Sequence, residues 1–214
     1  MFILTNVSSV GNTYIAEMRD AVIQQDSMRF RLNMQRTAEL LAYEISKNLE
    51  FHPLQVATPL ATASMSVIKE TPVLATILRA GLPFHEGLHR MFDHAACAFV
   101  GSFRGKQKVD HSFDIEMRYL TSPSLEARPL IVSDPMLATG KSLVSAIHSL
   151  YENGTPSKLF IAAAIASEEG VAFVQKELPE AQLFIGTVDP ELNEKYYIVP
   201  GLGDAGDLSF GPKL

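Results

Sequence analysis

The sequence predicts an α/β fold, a mainly parallel central sheet flanked by helices. Three observations carry the prediction. Six short runs are apolar on both faces, which suits strands buried in a parallel sheet. Segments with helical periodicity alternate with the later runs. Turn-forming residues, rather than a long linker, bound the runs, so the 214 residues read as a single domain over 1–214.

Two helices come first. The shorter one would bury Ile15, Met18, Val22 and Ile23. The next spans 27–49, where Phe30, Met34, Thr37, Leu41 and Ile45 share a face and Asp26 or Ser27 caps the start. The strand runs are LQVAT (54–58), PVLATIL (72–78), ACAFVG (96–101), PLIVS (129–133), KLFIAAAIA (158–166) and QLFIGTV (182–188). Helices fall between the later ones. PFHEGLHRMF has Pro83 at its start. KSLVSAIHSLYENG puts Leu143, Ile147, Leu150 and Tyr151 on one face and stops at Gly154. EEGVAFVQKEL is the third. Such sheets place their chemistry in loops after the carboxyl ends of the strands.

Charge and cysteine content narrow the function. A formal net charge of -6 argues against bulk nucleic-acid or membrane-surface binding, which needs a basic excess. One cysteine, Cys97 in AACAFV, allows neither a disulfide framework nor a multi-cysteine zinc site, and it reads as a small buried residue. The first residues, MFILTNVSSVGNTY, lack the basic and apolar regions of a signal peptide. No run reaches the roughly 20 apolar residues of a membrane span. The expectation is a soluble, cytoplasmic protein.

Three motifs need weighing. Residues 85–89 read His-Glu-Gly-Leu-His, formally the zinc-peptidase pattern. Gly87 weakens the helix that would have to present both imidazoles. Phe92 and Ala95 stand where the extended pattern needs Gly and His, and only the distant Glu116 is left as a third ligand. A structural or surface pair is the better reading. Residues 201–206 read Gly-Leu-Gly-Asp-Ala-Gly, but only eight residues follow, too few for a dinucleotide domain. Gly140-Lys141-Ser142 is not a Walker loop, because Pro135 stands where that loop requires glycine.

The turn around Gly140 nevertheless carries the strongest signal. A strand ends before Asp134, and a helix begins near Lys141 and Ser142. The start of that helix offers unpaired amides and the positive end of its dipole. Gly140 lets the backbone approach an anion, and Thr139 and Ser142 add hydroxyl donors. Asp134 cannot bind phosphate, but it suits ribose hydroxyls or a hydrated magnesium ion. An acid followed by a phosphate cradle describes a site for a ribose 5-phosphate. A capped helix with Asp134 at a turn is the plain alternative.

These residues resemble a known family. IVSDPMLATGKS looks like the phosphoribosyl-pyrophosphate (PRPP) loop of type I phosphoribosyltransferases. ILRAGL (77–82), DPMLATG (134–140) and YIVPGLGDAG (197–206) together resemble the uracil phosphoribosyltransferase family. RFRLNMQRTAELLAYE and the C-terminal FGPKL fit it as well, so the resemblance covers roughly residues 26 to 214. It implies a type I phosphoribosyltransferase-like fold with N-terminal helices and a C-terminal base-binding loop. It implies the conversion of uracil and PRPP to UMP and diphosphate, a pyrimidine-salvage reaction with Mg2+ bound through PRPP. By the resemblance, Arg79 and Arg104 bind the diphosphate. Asp134, Pro135, Met136, Leu137, Ala138, Thr139, Gly140, Lys141 and Ser142 hold the ribose phosphate. Ile198, Gly203, Asp204 and Ala205 hold uracil. Asp204 would either meet PRPP or influence uracil deprotonation. A homo-oligomer built by the N-terminal helices and an arm is implied, and GTP is the effector to test.

Several positions depart from the family pattern. Lys141 replaces the second glycine of the phosphate loop. The segment after Arg104 lacks the expected proline-rich, aromatic stretch. SEEG (167–170) replaces a Pro-Glu-Gly turn, and Leu208 an arginine. Two rivals therefore share the fold: an enzyme for another base, and a catalytically weak sensor of PRPP or UMP.

Overall fold

The computed structural model describes residues 1–107 and 113–212, with the side chains of 102–118 outside that description. Chain order is β1 (Phe2–Ile3), α1 (Val10–Arg19), α2 (Ser27–Ser46), β2 (Phe51–Ala57), β3 (Thr62–Ile68), β4 (Val73–Leu78), α3 (Gly81–Met91), β5 (Cys97–Gln107) and β6 (Phe113–Thr121). Then come β7 (Pro129–Ser133), β8 (Met136–Leu137), α4 (Lys141–Leu150), β9 (Lys158–Ser167), α5 (Glu168–Glu177), β10 (Gln182–Asp189), β11 (Glu191–Leu192), β12 (Ile198–Val199) and α6 (Ala205–Phe210).

The main sheet has the order β1-β10-β9-β7-β4-β5-β6, with β8 also paired to β9. Its ladders are parallel except β5–β6. Side chains alternate between the two faces of each strand, and two cores result. Leu74, Ile131, Phe160, Ala162 and Phe184 pack with α1, α2 and α3. Val73, Ala75, Leu130, Val132, Ile161 and Ile185 pack with α4 and α5. Each fully buried Phe or Leu contributes about 1.5–3 kcal/mol of transfer free energy. The long apolar runs are therefore sheet interior on both sides, as the sequence predicts.

Asp26 caps α2, its carboxylate accepting from the amides of Met28 (3.0 Å) and Arg29 (3.1 Å). Four expectations need correction. Val22 and Ile23 are exposed, because α1 ends at Arg19 and the chain turns before reaching them. The LQVAT run is not in the main sheet: β2 pairs antiparallel with β3, and all of β2 is exposed. No helix separates it from the next strand, so a hairpin is the pairing within reach. Tyr151 lies just past α4, in a 3-10 turn that Gly154 ends, with its hydroxyl donating to Glu180 at 3.3 Å. The ACAFVG run is the start of a longer strand, β5, which β6 extends.

Candidate active site

Parallel pairing brings the carboxyl ends of β4, β7, β9 and β10 to one edge of the sheet. Arg79 and Asp134 follow β4 and β7, while β9 and β10 end on Ser167 and Asp189. β4 and β7 are neighbours, cross-tied by Ser133 Oγ donating to the Ala75 carbonyl at 3.0 Å and Thr76 Oγ1 donating to the Ser133 carbonyl at 3.4 Å. The Leu78–Arg79 peptide is cis.

The loop from Asp134 to Gly140 leads into α4. Asp134 is partly exposed, and its Oδ1 accepts from the Met136 amide at 3.3 Å. Met136 and Leu137 form β8 against β9, so the loop is pinned to the sheet at its middle. Gly140 has φ +75° and begins α4 with no side-chain cap. A residue with a Cβ is strained there, and the added atom would press on Val174, Phe173 and the Gly170 carbonyl of α5. The Lys141 amide donates to Thr139 Oγ1 at 3.5 Å, and the start of α4 is a place where an anion is favoured. Lys141 is exposed at that start, and Ser142 is partly buried. From beneath, Ser167 Oγ donates to the Ala138 carbonyl at 2.6 Å and accepts from the Gly170 amide at 2.9 Å. Gly170 is needed because a Cβ would collide with that same carbonyl.

The second loop runs from Ile198 to α6. Ile198 is 4% exposed and its side chain packs in the core. Gly203 is exposed at φ +93°, and a Cβ there would stand 3.9 Å from Leu208 Cδ1. Asp204 Oδ1 caps α6, accepting from Gly206 (2.8 Å) and Asp207 (3.0 Å) amides. Ala205 is buried. At the loop's base, Asp189 is 4% exposed and accepts both Arg19 guanidinium nitrogens, at 2.6 and 2.9 Å, and the Gly201 amide at 2.8 Å. Arg19 also donates to the Gly201 carbonyl at 3.1 Å. The Gln24 amide, with its nitrogen turned inward, donates to the Leu202 carbonyl at 2.8 Å.

The second loop reaches Arg79. Its Nη2 lies 3.5 Å from Asp207 Oδ1, and the neighbouring Ala80 abuts Gly206. Arg79, residues 134–142 and residues 203–205 thus share one edge. Arg104 lies in β5, and its side chain, like that of Glu116, is outside the described residues. Lys213 and Leu214 of the FGPKL segment are outside them too.

His85 and His89 sit elsewhere, on α3. His85 is 6% exposed, with Phe99 edge-on at 5.3 Å, and burial followed by the nearby His89 pushes its pKa down to about 4. It helps to line a surface cavity of about 550 Å³ beside Arg31, Cys97 and Phe210. Among the described residues, no group of three His, Cys, Asp or Glu side chains is placed to hold a metal.

Arg19, Gln24 and Asp189 carry no mark in the sequence reading, and Ser167 enters it only as the first residue of SEEG. Ser167 had a local signal, a serine between an apolar strand and Glu-Glu-Gly, the pattern of a helix cap. Asp189 is a lone carboxylate ending an apolar run. Arg19 had no local signal, because its partner is 170 residues away.

The sequence model of the uracil phosphoribosyltransferase family matches residues 8–212. A uracil phosphoribosyltransferase of Porphyromonas gingivalis is 47% identical over 207 residues, covering 96% of this chain and 95% of that protein. One from Pyrococcus furiosus is 37% identical over 92% of this chain and 84% of its own length. Among solved structures, the AQ2163 protein of Aquifex aeolicus superposes with a TM-score of 0.85 at 29% identity, covering 96% of both chains. A hypoxanthine phosphoribosyltransferase of Trypanosoma cruzi shares the fold, with a TM-score of 0.51 at 15% identity over 74% of this chain and 78% of that one.

Proposed function

The chain belongs to the uracil phosphoribosyltransferase family, and from that premise we propose that it joins uracil to the ribose 5-phosphate of PRPP, giving UMP and diphosphate. The observation that supports the reading is that Arg79 and the Asp134–Gly140 turn follow the neighbouring strands β4 and β7 at one sheet edge, with Arg79 paired to Asp207 of the helix after the glycine-rich loop. We assign residues 134–142 to the ribose phosphate. The Asp134 carboxylate takes the ribose hydroxyls, which donate to it. Arg79 and Arg104 take the diphosphate, for which a guanidinium fork is matched. The backbone of Ile198, Gly203 and Ala205 reads the N–H and C=O edge of uracil at close range.

The donor set fits magnesium carried in on PRPP: the ionisable group at the end of β7 is a carboxylate, an oxygen donor suited to that ion. When bound, the ion would neutralise diphosphate charge, with Asp134 the side chain placed to help hold it. The chain's own residues do the rest. The C1–O bond to diphosphate breaks as the ribose gains oxocarbenium character. Arg79 stabilises the charge gathering on the leaving oxygens. Uracil N1 bonds to C1 from the opposite face and loses its proton. The second loop holds the ring in line, so positioning lowers the barrier. Asp204 shapes that loop by capping α6, and we assign it to the junction of base and ribose.

We read residues 1–214 as one catalytic unit, cytoplasmic and working as an assembly of two or more copies. The test is purified protein with PRPP, magnesium and labelled uracil, cytosine or hypoxanthine. UMP and diphosphate from uracil alone are expected. Transfer to another base, or PRPP binding without diphosphate release, would overturn the assignment.

A further inference from the structure

The base of the uracil loop is held by a buried arrangement that touches no substrate position. Asp189 closes β10 and is almost fully buried. A buried carboxylate is costly unless its oxygens are matched, and here a two-pronged guanidinium and an amide match them. The Arg19 side chain, 22% exposed, comes from the last turn of α1. It grips Asp189 with both terminal nitrogens and reaches the Gly201 carbonyl with one of them. Gly201 is therefore fixed at both ends of its peptide framework, N–H by Asp189 and C=O by Arg19. Gln24, beyond α1, takes the next carbonyl, that of Leu202. Two consecutive backbone carbonyls and one amide are thus set just before Gly203.

We propose that Arg19, acting through Asp189, is a positioning residue for uracil: it fixes the peptide groups of residues 201–202 so that 203–205 present their backbone at the right distance from the base. The inference rests on the assignment of Ile198, Gly203 and Ala205 to uracil made above. A planar, neutral ring read by peptide groups gains little from groups that wander, so anchoring acts on its binding. The phosphate cradle is braced from β9 and α5 by other residues, and PRPP binding should not feel the loss of Arg19.

The test uses the full chain. Arg19→Lys keeps the charge but cannot grip both oxygens and the Gly201 carbonyl in one plane. It should raise the uracil KM by about tenfold while the PRPP KM stays within about twofold. Asp189→Asn retains an acceptor for Gly201 and should give the same split at smaller size. Circular dichroism verifies that each variant is folded. Equal changes in both KM values, an unchanged uracil KM in folded protein, or failure of both variants to fold would each overturn the proposal, the last because the pair would then serve the fold. Gly203→Val separates the two layers of the argument. If it leaves the uracil KM unmoved, the loop assignment fails and the positioning role with it. If it raises that KM while Arg19→Lys does not, the loop stands and only the positioning role falls.

Discussion

The phosphate loop and the base loop share one sheet edge, but they are held in different ways. The first is braced by its neighbours in the chain: the Ser167 hydroxyl that supports Ala138 is 29 residues away, and β8 pins the loop to the adjacent strand. The second hangs from the far end of the molecule, with Arg19 170 residues from Asp189 and 182 from Gly201. On the proposed assignment, the ligands explain the difference. A phosphate is attracted by charge and by helix amides, so a strand, a turn and a helix suffice to make its site. An uncharged ring has no such pull. Its site depends on backbone placed accurately, and that placement needs contacts from several elements.

The largest effect should come from Arg79, which follows β4 beside the 134–142 loop's strand and pairs with Asp207 of α6. Arg79→Ala removes that guanidinium and should lower kcat by about 100-fold. Steady-state kinetics checks it, and near-normal turnover would break the assignment of Arg79 to the diphosphate. Next, Gly170→Val strikes only the phosphate side. Its side chain would push on the Ala138 carbonyl, raising the PRPP KM by about tenfold and leaving the uracil KM nearly unchanged. Ser167→Ala removes one hydrogen bond from beneath the same loop. About fivefold on the PRPP KM is expected, with the same selectivity.

The smallest effect concerns the base side and pH. Glu17 joins α1, the helix that carries Arg19, to α2. Hydrogen bonds from Arg29 and then Asn33 hold its carboxyl down at about 2, against 4.5 ordinarily. A lowered folded-state pKa stabilises the fold above about 4.5, and that contribution is lost as pH falls through about 2. Glu17→Gln should flatten stability across that window. Hydrogen exchange of α1 amides should show the loosening there before it appears around residues 134–142.

Much of the first loop was legible because its determinants are contiguous. The apolar run before Asp134, Gly140 at the turn and the helical pattern after Lys141 lie within a few residues of one another, and the structure keeps them in that order. The buried strands β4, β7, β9 and β10 were legible for the same reason, as unbroken apolar runs. The β2–β3 hairpin was not. TASMSVI does alternate, with Ala63, Met65 and Val67 against Thr62, Ser64 and Ser66, but its small polar residues make a weak strand signal, and LQVAT looks like sheet interior. Ile198 was assigned to uracil, but its side chain went to the core.

By itself, the sequence determined the alternation of strands and helices, the phosphate turn and the resemblance that names the family. Those features depend on local propensity and on burial patterns with a short period. Tertiary structure alone decided that Arg19 would meet Asp189, that Ser167 would support Ala138 and that Arg79 would stand beside Asp207. Hydrogen bonds between distant segments depend on how the elements stack, and no local pattern encodes the partner of a charged side chain across a folded core.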